Sequence, residues 1–147
     1  MINALKSLFI LPAGDSPEEH RHRVHLASAA LLIETARADF TQDAEEEAAL
    51  ENLLCASLPL SRQEVHALVE QAAKRVDAAT SLYEFTRVIN DHYGPAEKLE
   101  LIDSMWRVAY ADGNLDKYEE HLIRQVAELT YVPHPDYIRS KLAARPG

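Results

Sequence analysis

The chain concentrates its candidate chemistry in one short run, ADGNLDKYEEH, where four carboxylates, a glycine and a histidine fall between Ala111 and His121. Asp112 and Asp116 bracket a tight loop, and Glu120 lies about one helical turn beyond Asp116. Carboxylate oxygens in this spacing suit a hard divalent cation such as calcium, magnesium or manganese, with zinc a further candidate and water completing the shell. The order is not that of an EF-hand, because the glycine directly follows the first Asp. A purely structural role also fits. Asp116 is placed to cap the following helix and Glu119 to reach back in a capping box, worth about 1 kcal/mol for the cap. Asp112 with Gly113 can close the preceding helix. A cation site and a helix boundary both account for these acids, and the two can coexist.

Helix-start patterns recur along the chain. Ser16-Pro17-Glu18-Glu19 combines an N-cap, a proline at the first helical position and a capping-box glutamate. The helix it opens is apolar almost all round from Leu26 to Ile33 and is therefore expected at the centre of the fold. Further boxes pair Asp43 with Glu46, Ser61 with Glu64, Ser81 with Glu84 and Asp116 with Glu119. Apolar residues follow each at spacings of three and four, as in Val65, Leu68, Val69 and Ala72. Pro95 and Pro135 suit the first turns of two more helices. No segment alternates with period two, so the expectation is an all-α single domain of about seven to eight helices. Residues 1–14 read as a short N-terminal docking helix and residues 15–147 as the helical domain. The run INALKSLFILP is too short to cross a bilayer and has no small-residue cleavage site. Peripheral contact with a membrane surface is its alternative use.

The opening stretch has a partner earlier in the chain. A shift of 73 positions lays Asp39, Asp43, Glu46 and Glu47 onto Asp112, Asp116, Glu119 and Glu120, and Leu26, Leu50 and Leu53 onto Leu99, Ile123 and Val126. ARADFTQDAEEEAALENL and AYADGNLDKYEEHLIRQV thus read as two copies of a helix-loop-helix unit, in a pseudo-two-fold arrangement. Phe40 stands where the second copy has Gly113, so the loops need not share backbone angles.

The ADGNLDKYEE element after an apolar helix, its degenerate earlier copy and the all-helical layout resemble the TerB-like family, named for tellurite-resistance proteins. The resemblance covers roughly residues 20 to 145. It implies an all-α pseudo-symmetric fold, a role in metal-oxyanion and chemical stress, and no established enzymatic activity. Metal binding carried over from the family would fall on Asp112, Asp116 and Glu120, with Asp39, Asp43 and Glu47 in the other half.

Composition narrows the remaining options. Fifteen Lys and Arg against 24 Asp and Glu give a net charge of -9, which argues against nucleic acid and anionic surfaces as partners. Protein partners are expected instead, and a homodimer is compatible with the sequence. The single Cys55 has no partner for an internal disulfide and reads as a buried, inert thiol, in keeping with a reducing, cytoplasmic setting. The acid-rich segment from Glu34 to Glu51 reads as a solvated helix start or a docking face for a basic partner. His20, His22 and His25 cluster early; Glu19 and His22 form one E-x-x-H, but a di-iron bundle needs two. His121 projects away from Glu120, and Trp106 falls on the apolar stripe of its helix. No nucleophile elbow, phosphate-cradling loop or zinc-protease motif is present, so the chain reads as non-enzymatic. A metal-responsive stress module and a plain helical adaptor with no ion are the two functional expectations.

Overall fold

The computed structural model describes residues 9–10, 14, 16–39, 44–73, 78–111 and 117–145. Among these residues there are seven helices and no strands: α1 (Pro17–Asp39), α2 (Ala44–Ser57), α3 (Arg62–Ala73), α4 (Ala78–His92), α5 (Pro95–Ala109), α6 (Lys117–Leu129) and α7 (His134–Ala144). The capping boxes at Ser16 and Ser61 form as expected. In each, the serine hydroxyl accepts from the backbone N–H three residues on, and the glutamate accepts from the serine N–H. Pro95 opens α5, and Pro135 lies in the first turn of α7. Ahead of Pro95, the Gly94 N–H donates to Glu97 at 2.6 Å, so this helix start uses only the glutamate half of a box. Ser81 does not start a helix. The preceding Ala78-Ala79-Thr80 is already helical, because two alanines favour the helix enough to carry its start upstream of the box. The boxes at Asp43 and Asp116 lie outside the described residues.

The long helix α1 is central. Every residue from Ala27 to Glu34 is buried, which requires neighbours on all sides, and α1 packs on α3, α4, α5 and α6. Its most extensive partner is α5. Small residues set the approach: Ser28 is fully buried and its hydroxyl lies 3.4 Å from the carbonyl of Leu101.

Ser28 and Leu101 are equivalent under the shift of 73, and a residue meeting its own equivalent is what a local two-fold axis produces. Two further pairs of contacts obey the same operation, although α2 packs on α3 and α5 on α6 without equally extensive counterparts among the described residues. Helix α1 packs on α3 as α5 packs on α7, and α1 touches α6 as α5 touches α2. The starts of α2 and α6, Ala44 and Lys117, also coincide under the shift. The chain is therefore two three-helix halves, α1–α2–α3 and α5–α6–α7, joined through α4, as the duplicated pattern predicts.

The eighth helix expected near the N-terminus falls on residues 1–14, of which only Phe9, Ile10 and Gly14 are described. Phe9 is fully buried and stacks on Phe85 of α4, ring centroids 4.5 Å apart. Cys55 is a free thiol and half-buried, less enclosed than the sequence reading expected, because it lies at the edge of the α2 core face.

Candidate functional site

The second half places its distinctive side chains where α5, α6 and α7 meet. Trp106 on α5 has no exposed surface and fixes the geometry. Tyr110, one turn on, lies 5.8 Å from it, and Tyr137 of α7 packs at 5.6 Å with the rings tilted by 54°. Lys141, one turn after Tyr137, holds its ammonium 5.6 Å from the centre of the Trp106 ring and 2.6 Å from Glu120 of α6. The carboxylate of Glu120 accepts that hydrogen bond and raises the Lys141 pKa; burial raises that of Tyr137. An aromatic floor, an ammonium and a carboxylate thus tie the three helices together.

Beside this cluster runs a cleft of about 370 Å³ between α5 and α7, lined by Asp103, Arg107, Tyr110, Ala111, Ser140, Ala143 and Ala144. The Ser140 hydroxyl, on a residue that is itself buried, donates a hydrogen bond to Asp103. Arg107 is exposed along the same wall.

Of the acids singled out from the sequence, Glu120 is half-buried and paired with Lys141. Glu47 is half-buried on α2, and Asp39 is the last residue of α1, its side chain outside the described set. Asp43, Asp112 and Asp116 lie outside the described residues. What the structure does place is the frame: Asp39 ends α1 and Asp43 directly precedes α2, whereas α5 ends at Ala109, three residues before Asp112, and Asp116 directly precedes α6. The partner of Glu120 is not duplicated, because Lys141 corresponds to Leu68, a buried core residue.

The histidines are committed to separate carboxylates. His22 lies 2.5 Å from Glu64, the same glutamate that caps α3. Burial opposes the charge on Glu64, but the Ser61 hydrogen bonds and His22 outweigh it and hold its pKa below the usual carboxylate value. His25, nearly fully buried, meets Glu100 of α5 at 3.2 Å. Burial pushes its pKa down and outweighs the pull of Glu100. His66 sits between Glu51 and Glu70, at 2.7 and 3.0 Å, and the Glu51 hydrogen bond raises its pKa. His121 is exposed, as expected. Among the described residues no group of three or more His, Cys, Asp or Glu is arranged to hold a metal.

Sequence reasoning did not single out Asp103, Arg107, Ser140 or Lys141. The shift of 73 contains the signal: it sets these four against Ala30, Glu34, Ala67 and Leu68. The mismatches within a repeat, rather than the matches, mark what one half does alone.

A duplicated, all-helical bundle with acidic segments between equivalent helices defines the class of protein. The profile of the family described as Tellurite resistance protein TerB matches residues 25–142, and the chain belongs to that family. Comparison with curated proteins and with solved structures gave no match. No helix of the described residues is long and apolar enough to cross a membrane.

Proposed function

We propose that this chain is a non-catalytic TerB module that responds to divalent cations through its acidic inter-helix segments, in a metal-oxyanion or general stress response. The observation that carries this reading is the equivalence of the two segments. Asp39, Asp43 and Glu47 stand in the same order and spacing as Asp112, Asp116 and Glu120, around the equivalent helix starts Ala44 and Lys117. An N-cap role would account for Asp43 and Asp116, and Asp112 with Gly113 could close the helix before it, but Asp39, followed by Phe40 in place of the glycine, has no such use. Hard cations take such oxygens and complete their shells with water. In the second half Lys141 already neutralises Glu120, so a divalent ion there competes with a tethered ammonium.

Calorimetric titration of the full chain with calcium, magnesium, manganese and zinc tests the proposal. The expected result is saturable binding below about 1 mM that is lost in the Asp112→Asn, Asp116→Asn double variant. Binding that survives those substitutions, or no binding at all, removes the cation role.

A second reading, a helical adaptor with no ion, is favoured by two exposed apolar side chains on the second half. Tyr131, 79 % exposed, sits in the left-handed backbone region at φ 61° in the turn before α7, and Leu142 is exposed on α7. A bulky residue held there against its backbone preference and against water is a candidate contact for a protein partner.

A further inference from the structure

The cleft between α5 and α7 has no role in the cation reading and does not depend on it. Asp103 and Arg107 are four residues apart on α5, in the order that normally favours an ion pair along a helix. None of the ion pairs among the described residues joins them; Asp103 is turned towards Ser140 instead. The cleft therefore presents a carboxylate fixed by a buried hydroxyl and, one turn along, a guanidinium that pairs with no carboxylate among the described residues. The fold does not need this arrangement. At the equivalent place in the first half, Ala30 and Ala67 stand for Asp103 and Ser140, and α1 packs on α3 as α5 packs on α7.

We propose that this cleft binds a small zwitterion of the α-amino-acid type. Its ammonium sits on Asp103, its carboxylate on Arg107, and a short side chain rests against Tyr110, Ala143 and Ala144. The charges exclude the simpler ligands. A bare anion on Arg107 would face Asp103 and a chain of net charge -9, and a bare cation on Asp103 would face Arg107. A molecule carrying both charges is net neutral and satisfies both walls. The cleft lies within the ordinary size range of small-molecule sites, roughly 300–1,000 Å³, near its lower end. The Ser140 hydrogen bond has a definite function here: it keeps Asp103 from collapsing onto Arg107.

Titration calorimetry of the full chain with L-alanine, L-serine, N-acetyl-L-alanine and L-alaninamide tests the assignment. L-alanine and L-serine are expected to bind. The two blocked compounds, each lacking one charge, are expected to bind at least about tenfold more weakly. Arg107→Gln and Asp103→Asn are expected to cost a similar factor, and Ser140→Ala to weaken binding by freeing Asp103 to pair with Arg107. Arg107 is exposed, so its variant decides the matter if changes at Asp103 or Ser140 impair folding, which the helical circular dichroism signal reports. Three results overturn the proposal: no amino acid binding below about 10 mM, N-acetyl-L-alanine binding as well as L-alanine, or a folded Arg107→Gln chain that binds as the parent does. Loss of cation binding in variants of the acidic segments leaves these outcomes unchanged, so failure of one reading is separable from failure of the other.

Discussion

The two halves of the molecule pair their first and third helices in the same way and fill that shared frame differently. In α1–α2–α3 the equivalent positions hold Ile33, Ala30, Ala67 and Leu68, and the frame closes with small and aliphatic side chains. In α5–α6–α7 the same positions hold Trp106, Asp103, Ser140 and Lys141, which make an aromatic floor, an ion pair to Glu120 and a polar cleft. The histidines divide the other way: His25 and His66 of the first half correspond to Lys98 and Arg139 of the second. A duplicated frame is a built-in control. What both halves keep belongs to the architecture, and what one half alone carries is free for another use.

The largest expected effect separates the two cores. Trp106→Ala should cost about 4 kcal/mol of unfolding free energy and Ile33→Val about 1 kcal/mol, measured by urea denaturation. Equal small losses would show that the aromatic cluster is not the keystone of its half. Next come the helix starts. Ser16→Ala and Ser61→Ala should each cost about 1 kcal/mol, and Glu97→Ala, which removes the acceptor for the Gly94 N–H, a similar amount. A negligible loss at Glu97 would mean that α5 needs no cap where α1 and α3 do.

Smaller still is the Glu120–Lys141 pair. Both side chains are about a third exposed, so Lys141→Met should change stability by about 0.5 kcal/mol or less. If Glu120 takes part in cation binding, the same substitution should tighten it in calorimetry by removing the competing ammonium.

The finest distinction is in pH dependence. His25 titrates below the ordinary 6.5 when folded, so the unfolded chain takes up its proton first, and stability falls as pH drops through 6.5 towards the folded value. His66 titrates above 6.5, so its contribution is complete below that pH and is lost as pH rises through the folded value. NMR titration of the imidazole protons should place the two midpoints on opposite sides of 6.5. His66→Gln should remove the portion of stability that declines with rising pH, and an unchanged profile would discount the contacts with Glu51 and Glu70.

Much of the fold was legible because local chemistry and global pattern agree. Ser16 and Ser61 start helices with side chains that reach only three residues, so their boxes needed no tertiary information. The shift of 73 exposed the two-fold because core positions and acids repeat together. Ser81 misled because a box is local while a helix start is decided by all the residues upstream of it. The candidate site was less legible. Asp103 and Ser140 are far apart in sequence and ordinary in type, and only the packing of α7 on α5 brings them together. Glu120 was legible as an acid in a motif but not as the partner of Lys141, because that contact depends on where α7 returns.

Glu64 belongs to two structures at once: one oxygen accepts from the Ser61 N–H at the head of α3, and the other meets His22 on α1. Helix ends ordinarily fray and exchange their amide hydrogens with solvent long before a protein opens globally. The first turn of α3 cannot fray without also releasing a contact to the central helix. The bonded amides of that turn, those of Ser61, Glu64 and Val65, should therefore exchange more slowly than those of a helix end held by its own cap alone.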